Sequence, residues 1–306
     1  MAIHLLVPIL ALAIAAPGAD EPPYGKGMTD ANKERLVIED GEDAADWYNG
    51  SPDETKLSAD DRHAKAGSRA VLFANVVDHT KGETTYPIGW PRVGKDLGKL
   101  QLTDWSAYDF FECWIYCDTS RERLPASPLG VGFYHSGPKR STSFRLPEVT
   151  KGQWVPVQIP VAKIERPDDV QRVQFNISEA DYKHGDRVDF YIDDVVLTRF
   201  VDPAINEFSP ERRLVYSSER QLRAAYSLVG YKGLEAVVVE LAILGPDGMV
   251  LARATGSPSP QGEIIARIER PLAPGVCLAR LSLRDGEGKL VDRRDAEFRV
   301  IAGPGL

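Results

Sequence analysis

Short apolar runs bounded by turn residues recur along most of this chain of 306 residues. Within each run apolar and polar residues alternate, as they do in a β-strand that buries one face. No amphipathic helix pattern, with apolar residues three and four positions apart, separates the runs. The pattern therefore predicts a β-sandwich for the first part of the chain. Its predicted strands cover residues 35–39, 69–76, 108–117, 129–135, 153–160, 170–178 and 188–198.

A second set of alternating runs follows residues 199–213, which are polar and contain two prolines. Glycine-rich turns at 245–248 and 285–288 join neighbouring runs in this half. We predict an all-β protein with two β-sandwich domains, the second of them immunoglobulin-like. The predicted boundaries are 36–199 for the first domain, 200–213 for a linker and 214–302 for the second domain. The strands predicted in the second domain cover residues 220–228, 234–244, 249–256, 262–270, 276–285 and 292–301.

The amino terminus carries an apolar stretch over residues 3–16, followed by proline and glycine. Its length is that of the apolar region of a signal peptide, and small residues at Ala13 and Ala15 suit cleavage. A membrane-spanning helix needs about 20 apolar residues, so the stretch is too short to span. We predict a signal peptide over 1–19 and a secreted, periplasmic or cell-surface protein, with a buried amino-terminal helix as the alternative. The mature chain is expected to have no membrane span.

Composition narrows the possible partners. The formal net charge is −8, and all five tryptophans lie before residue 201. An acidic chain has no general electrostatic attraction for phosphate backbones, so we expect no nucleic-acid partner. Cys113 and Cys117 are four positions apart in a predicted strand, which places their Cα atoms about 13 Å apart, too far for a disulfide. The three cysteines are therefore predicted to be small buried residues.

Strand alternation also separates an inward from an outward set of side chains. In residues 110–117 the inward set is Phe111, Cys113, Ile115 and Cys117. If the strands share a sheet, its outer face carries flat aromatic rings beside amides and a guanidinium group, a combination that suits a neutral polyhydroxylated ligand. Cross-strand packing pairs are the alternative explanation. The predicted ligand-binding residues on this face are Trp114, Tyr116, Tyr134, Gln158, Arg172, Gln174 and Asn176.

The segment 77–104 is rich in glycine and proline and is predicted to be a long loop. Loops of this length in a compact domain are usually functional or mobile. Trp90, within the sequence Tyr-Pro-Ile-Gly-Trp-Pro, is therefore a further candidate for lining a ligand site. Its alternative role is to plug the edge of the sandwich.

Acidic residues gather at the two ends of the predicted first domain. Residues 39–43 read Glu-Asp-Gly-Glu-Asp after the first strand, and Asp193 and Asp194 lie in the last strand. Carboxylate oxygens brought together from the two chain ends could bind Ca²⁺, which takes six to eight oxygen ligands. The alternative is a set of solvated turn carboxylates. The sequence therefore raises the hypothesis of a structural calcium ion.

Five segments together resemble a known family. They are Val37–Trp47 (VIEDGEDAADW), Gly67–Leu72, Asp104–Asp109, Gln153–Pro160 and the most specific, Phe190–Leu197 (FYIDDVVL). They resemble the galactose-binding-like jelly rolls of bacterial carbohydrate-binding modules, over residues 36–199. The resemblance implies a jelly-roll first domain that binds a polysaccharide or glycan. It also implies calcium ligands, which by similarity fall on Glu39, Glu42, Ser68 and Asp194, with Asp193 as a further candidate.

Two other classes of function remain open at this point. A glycoside hydrolase needs two carboxylates on either side of the scissile bond, and the loops carry many acidic residues, among them Asp53, Glu54, Asp60, Asp61 and Glu83. No zinc-protease, nucleophile-elbow or phosphate-loop motif accompanies them. A structural or adhesion component of the cell envelope would instead expose an apolar patch. The sequence favours a secreted, non-catalytic carbohydrate-binding protein.

Overall fold

The computed structural model describes residues 30–81, 88–137, 141–231 and 237–303. The predicted all-β fold is confirmed, because the regular elements of these residues are nineteen strands and four single-turn 3₁₀ helices. The helical turns are Asp30–Asn32, Gly98–Leu100, Val161–Lys163 and Glu179–Asp181. None of the described helices is long and apolar enough to cross a membrane. The predicted signal peptide over residues 1–19 lies outside the described residues.

The first domain is a jelly-roll sandwich of two antiparallel sheets. Its strands are β1 Lys33–Glu39, β2 Trp47–Asn49, β3 Thr55–Asp60, β4 Ala70–Val76, β5 Arg92–Asp96, β6 Phe110–Thr119, β7 Gly130–His135, β8 Ser141–Arg145, β9 Trp154–Pro160, β10 Val170–Asn176 and β11 Arg187–Phe200. Sheet I has the order β3-β4-β11-β6-β9, with β1 also paired to β11. Sheet II has the order β2-β5-β10-β7-β8. The two sheets pack face to face over one apolar core.

Alternation identified the core residues correctly. Phe111, Cys113, Ile115 and Cys117 on β6 are at most 2% exposed. The ring of Trp105 stacks on Phe111, with centroids 5.7 Å apart, and the core also contains Phe residues from sheet II. Since burying a large apolar side chain is worth about 1.5–3 kcal/mol, this core holds the two sheets together. The three cysteines are free and buried, as predicted.

The predicted long loop over 77–104 is wrong at its centre, because β5 lies within it and pairs with both β2 and β10. Strands β2, β3 and β8 were also not predicted. These strands are short and mostly polar, so their sequences lack a clear apolar alternation. These strands form because they pair with other strands through backbone hydrogen bonds, and the local sequence does not indicate which strands those are.

The second domain is a smaller, immunoglobulin-like sandwich with its own core. Its strands are β12 Ala204–Pro210, β13 Leu214–Tyr216, β14 Gln221–Val229, β15 Val238–Leu244, β16 Val250–Gly256, β17 Gly262–Arg267, β18 Gly275–Arg284 and β19 Leu290–Ile301. They form sheets with the orders β12-β14-β17 and β13-β19-β18-β15-β16. Half of the predicted linker, residues 200–213, is part of this domain, because β12 lies within it and pairs with β14.

A small apolar cluster joins the two domains. It consists of Phe110 and Phe200 from the first domain with Ala204 and Val229 from the second. Beside it the buried carboxylate of Asp109 accepts hydrogen bonds from the backbone N–H groups of Phe200, at 2.8 Å, and Gly230, at 3.3 Å. One side chain therefore binds the backbone of both sandwiches where they meet.

Candidate functional site

The predicted ligand residues do not share one sheet. Trp114 and Tyr116 on β6 and Gln158 on β9 belong to sheet I. Tyr134 on β7 belongs to sheet II, as do the three predicted residues of β10, which are Arg172, Gln174 and Asn176. The outer faces of a two-sheet sandwich look in opposite directions. The prediction of one shared face is therefore wrong, and the two halves of the set have to be considered separately.

On sheet I the aromatic residues are covered by the segment 61–67. The ammonium of Lys65 lies 3.8 Å from the ring centroid of Trp114, and the ring of His63 stacks on Tyr116 at 4.0 Å. His63 also meets the fully buried ring of Tyr191 edge-on. These cation–π and ring contacts are packing interactions. Tyr116 thus packs against a small second apolar cluster around Tyr191 on the outside of sheet I, while Trp114 is covered by Lys65.

Gln158 is likewise engaged within the protein. Its amide donates a hydrogen bond of 2.8 Å to the carboxylate of Glu112 on the neighbouring strand. The hydroxyl of Thr198 donates to the same carboxylate oxygen at 3.1 Å. The carboxylate of Glu112 thus links β6 to both β9 and β11.

Sheet II presents a different surface, which we call the tyrosine face. Its central row crosses all five strands in register: Tyr48 on β2, Gly94 on β5, Gln174 on β10, Gly132 on β7 and Ser143 on β8. The next row contains Asp96, Arg172, Tyr134 and Ser141. Tyrosines, amides, hydroxyls and one guanidinium group thus share one sheet surface.

The two tyrosine rings lie over glycines. A Cβ atom at Gly94 would be 2.8 Å from Cε1 of Tyr48, and a Cβ at Gly132 would be 3.2 Å from Cε2 of Tyr134. Both distances are shorter than ordinary carbon contacts. The absence of side chains at these glycines lets each ring lie along the sheet, with both tyrosines half-buried.

Gln174 holds the tyrosine hydroxyls in place. Its Nε2 donates a hydrogen bond of 2.9 Å to Oη of Tyr134, and the hydroxyl of Tyr48 donates to its Oε1. The side chain is only 3% exposed, so it lies beneath the tyrosines and does not face a ligand, contrary to its predicted role. Burial raises the pKa of the Tyr134 phenol, which therefore stays protonated across the physiological range.

Arg172 completes the face. Its guanidinium lies 4.3 Å from the ring centroid of Tyr48, and its Nε donates a hydrogen bond of 2.5 Å to Oδ1 of Asp96. Burial alone would lower the pKa of Arg172, but the hydrogen bond and charge of Asp96 raise it, so the guanidinium is charged. Asp96 therefore balances the charge of Arg172, whereas the row of Asn176 also carries Arg92 on β5 and Arg145 on β8.

A cavity of about 590 Å³ opens beside the tyrosine face, and we call it the edge cavity. Trp90 is 36% exposed there, and Arg92 lies with its guanidinium 5.6 Å from the Trp90 ring. Arg92 is the direct strand neighbour of Asn176, which connects the cavity to the tyrosine face. The lining also includes Gly50, Pro52, Glu54 and Lys81.

Each acidic residue predicted as a calcium ligand has a protein partner. Glu39 is buried, accepts hydrogen bonds from the Gly41 N–H at 2.9 Å and from Nε1 of Trp47 at 2.7 Å, and forms an ion pair with Lys95. Glu42 accepts from the backbone and hydroxyl of Ser68, at 2.5 and 2.6 Å. The hydroxyl hydrogen bond, the larger effect, and the backbone one lower the pKa of Glu42.

The two aspartates of β11 are satisfied in the same way. Oδ2 of Asp193 accepts hydrogen bonds from the backbone of Lys65 at 2.7 Å and Ala66 at 3.0 Å. Nη2 of Arg35 donates hydrogen bonds to both carboxylate oxygens of Asp194, at 2.6 and 2.7 Å. Each of these four carboxylates thus has a protein hydrogen-bond or ion-pair partner, and the calcium site stays a prediction. No group of three metal-ligating side chains occurs within the described ranges.

Sequence reasoning missed Tyr48 and the glycines beneath the rings. Tyr48 follows Trp47, and in a strand two neighbouring residues face opposite sides. Trp47 points into the core, where it is 7% exposed, so alternation would have placed Tyr48 outside. The short length of β2, three residues, hid that signal.

No protein-family model and no curated protein matches the chain. Among similar solved structures, the family 11 carbohydrate-binding module from Clostridium thermocellum, solved with a β-1,3-1,4-mixed-linked tetrasaccharide, is 14% identical, with 53% of this chain and 94% of that chain covered and a TM-score of 0.34. The module CBM28, described as specific for non-crystalline cellulose, is 15% identical, with 54% and 94% covered and a TM-score of 0.36. At these values the comparisons assign neither a family nor a ligand.

Proposed function

We propose that this protein is a non-catalytic module that binds a polysaccharide chain on the tyrosine face of its first domain. The observation that carries the proposal is the pair of half-buried rings, Tyr48 and Tyr134, lying along one sheet over Gly94 and Gly132. Flat aromatic surfaces of this kind stack on the C–H faces of sugar rings, while their hydroxyls remain available as hydrogen-bond partners.

The polar groups of the face favour a neutral sugar chain. Arg172 and Asp96 balance each other, so the two rows of the face that hold the tyrosines carry no net charge. Asn176, half-buried at the end of β10, holds its amide over Gly130 on β7, where a Cβ atom would be 3.2 Å from Nδ2. Amides donate and accept hydrogen bonds at once, as vicinal hydroxyl groups require.

The edge cavity extends the proposed site beyond the two tyrosines. Trp90 is exposed, whereas Tyr48 and Tyr134 are half-buried. It lines the wall of the cavity of about 590 Å³. Pockets of about 300–1,000 Å³ enclose small organic ligands, so one sugar unit fits the cavity while the chain continues along the sheet. Trp90 keeps its predicted role in this proposal.

The acids around the cavity support a binding role without catalysis. A glycoside hydrolase places two carboxylates about 5–10 Å apart across the scissile bond, both in contact with the sugar. Asp53 and Glu54 line the cavity as adjacent residues of one turn, and Glu179 behind Glu54 has 0% exposure. The carboxylates that line the cavity thus come from one turn and not from two opposite walls.

Isothermal titration with a panel of soluble polysaccharides, including mixed-linked β-glucan, tests the proposal. We expect Tyr48→Ala and Tyr134→Ala each to weaken binding about tenfold or more, because loss of a stacked ring costs about 1.4 kcal/mol. Tyr48→Phe keeps the ring and is expected to bind within a few-fold of the wild type. A reducing-end assay on the same polymers is expected to detect no cleavage.

Trp114→Ala is the matched control, since Trp114 lies on the opposite sheet under Lys65. It is expected to keep full affinity. If the Trp114 variant lost binding while both tyrosine variants kept it, sheet I would be the ligand surface and the proposal would be wrong. The proposal would also be contradicted if the wild type bound none of the polymers in the panel.

We further propose that the chain is exported, with residues 1–19 removed as a signal peptide. The support is the apolar stretch over residues 3–16. Expression of the full chain in a bacterial host, followed by cell fractionation and amino-terminal sequencing, tests this. A protein that stays in the cytoplasm with Met1 intact contradicts it.

A further inference from the structure

A row of apolar and aromatic side chains crosses the outer face of sheet I. Its members are direct neighbours in the register of four strands: Leu72 on β4, Tyr191 on β11, Tyr116 on β6 and Trp154 on β9. The ring centroid of Tyr116 lies 5.9 Å from that of Tyr191 and 5.6 Å from that of Trp154. The outer face of a sandwich sheet is the side that normally meets solvent, and a continuous apolar surface there is typical of an interaction site.

The row is covered by residues 61–67, which we call the lid. The lid lies in the connection between β3 and β4, contains no helix or strand, and has no buried residue. The imidazole ring of His63 stacks on Tyr116, with centroids 4.0 Å apart and planes at 24°, and meets Tyr191 edge-on at 4.7 Å. The guanidinium of Arg62 lies 5.6 Å from the Tyr191 ring centroid. The lid thus covers the row with ring and cation–π contacts.

The attachment of the lid to sheet I is slight. The backbone N–H groups of Lys65 and Ala66 donate hydrogen bonds of 2.7 and 3.0 Å to Oδ2 of Asp193 on β11. Gly67 follows with a φ of +61°, a conformation that glycine adopts without strain. Opening of the lid about Gly67 breaks these two hydrogen bonds and the ring contacts, and no buried side chain of the lid has to move. Segments with few buried contacts are those that open at low free-energy cost.

Tyr191 carries the observation that points to a ligand. Its side chain is 0% exposed beneath the lid, and its hydroxyl has no hydrogen-bond partner within the described part of the chain. Burial raises the pKa of Tyr191 to about 12, so the hydroxyl keeps its proton and is a donor without an acceptor. A buried hydroxyl gives up its hydrogen bonds to water, which disfavours the closed arrangement. An open lid restores a partner to this group.

We propose that the outer face of sheet I is a second polysaccharide-binding surface, which the lid closes in the free protein and a sugar chain can occupy in its place. His63 lies on Tyr116 in the parallel arrangement that a sugar ring stacked on this tyrosine would adopt. Trp154, half-buried on the edge strand β9, continues the aromatic surface to the edge of the sheet. The Tyr191 hydroxyl then donates to a sugar hydroxyl, which is both donor and acceptor.

The two surfaces differ in what a ligand has to displace. The tyrosine face is open, whereas a chain on sheet I must first displace the lid, so its apparent affinity is reduced by the small fraction of open molecules. Binding by the wild type is therefore expected to come from the tyrosine face. Binding on sheet I becomes measurable once the lid is released. The proposal concerns a different sheet and does not rest on the tyrosine face.

Titration calorimetry with the same panel of soluble polysaccharides tests the proposal in the full chain, after the tyrosine face is removed by Tyr48→Ala and Tyr134→Ala. His63→Ala and Lys65→Ala are then added to release the lid, because these two side chains contact the rings of sheet I. We expect the released chain to bind at least one polymer about tenfold or more tightly than the same chain with an intact lid. Trp154→Ala, added last, is expected to remove that gain.

Amide hydrogen exchange followed by mass spectrometry shows whether the lid has opened. The backbone N–H groups at positions 65 and 66 are expected to exchange about tenfold or more faster after His63→Ala and Lys65→Ala, while those of β11 keep their protection. Unchanged exchange would overturn the proposal, because the ring contacts would then not hold the lid closed.

Asp61→Ala is the matched control, since it changes an exposed residue of the same lid. It is expected to give no gain in binding. No binding by a chain whose lid has opened would overturn the proposal, and so would a gain that survives Trp154→Ala or that Asp61→Ala produces equally. Failure of the tyrosine face gives a different result, in which the wild type binds no polymer while the gain on lid release is still observed.

Discussion

Gln174 and Lys95 show how far the role of one polar residue depends on what lies around it. Both are in strands, and both are nearly buried, at 3% and 8% exposure. Gln174 supports two tyrosine hydroxyls, and Lys95 pairs with the buried Glu39. A long polar side chain can be buried at low cost only when every polar atom has a partner. Each therefore positions the side chains of its neighbours.

The Lys95–Glu39 pair gives a prediction at this scale. Lys95→Met leaves a buried carboxylate without its counter-charge, so we expect the first domain to lose about 3–5 kcal/mol of unfolding free energy. All five tryptophans lie before residue 201, so urea unfolding followed by tryptophan fluorescence reports on that domain. The double variant Glu39→Gln with Lys95→Met is expected to recover much of the loss. Simple addition of the two single losses would contradict direct coupling.

At the scale of elements, three of the five strands of sheet II, β2, β5 and β8, are strands that the sequence pattern did not predict. β5 has the sequence Arg-Val-Gly-Lys-Asp, and its outward residues are polar or glycine. Its place between β2 and β10 explains these residues: Gly94 makes room for Tyr48, and Asp96 pairs with Arg172. The candidate site is thus a property of neighbouring strands, and no single strand contains it.

The glycines under the rings give a prediction for this element. A Cβ at Gly94 would lie 2.6 Å from the backbone oxygen of Val173 as well as against Tyr48. Because backbone cannot move aside easily, Gly94→Ala is expected to cost about 1–3 kcal/mol of stability and to weaken polysaccharide binding by tilting the ring. Urea unfolding and titration calorimetry measure the two effects.

Gly98→Ala is the control for that substitution. Its Cβ would approach only the end of the Gln171 side chain, at 3.1 Å, and that side chain can rotate away. We expect unchanged binding and a stability within about 0.5 kcal/mol of the wild type. Equal effects at Gly94 and Gly98 would show that the ring contact is not responsible.

At the scale of the whole molecule, the two sandwiches have separate cores and meet at a small apolar cluster with Asp109 beside it. The residues proposed to bind the polysaccharide all belong to the first domain. The second domain exposes neighbouring apolar residues at Met249, Val250 and Leu251, which are 66%, 44% and 39% exposed. It contacts the first domain through the shared apolar cluster and the hydrogen bond from Gly230 to Asp109.

The hydrogen bonds of the Asp109 carboxylate give a prediction about the coupling between the two domains. Asp109→Ala removes the acceptor for the N–H groups of Phe200 and Gly230, at a cost of about 1–3 kcal/mol for each buried group left unpaired. Differential scanning calorimetry is expected to show the thermal transitions of the two domains moving apart, whereas Asp109→Asn, which keeps an oxygen, has a smaller effect. An unchanged single transition in Asp109→Ala would mean that the apolar cluster alone couples them.

Local sequence determined the fold class, the two-sandwich organisation and the inward residues of the longer strands. Phe111, Ile115 and Phe133 are buried as alternation predicts, because successive strand residues face opposite sides whatever their neighbours are. It could not determine which strands share a sheet, since pairing between distant segments leaves no local periodicity. Trp114 and Tyr134 were placed together for that reason, and they lie on opposite sheets.

Tertiary structure alone decided the candidate sites. It brought Tyr48 beside Gln174, 126 positions later in the chain, and placed Lys95 against Glu39 in the region where the resemblance implied calcium. It also placed His63 of the lid on Tyr116, although residues 61–67 contain no recognisable motif. The physical reason is common to all three. A binding surface depends on distances between side chains of different strands, and these are set by sheet order and burial, whereas the sequence pattern specifies only which face each side chain occupies.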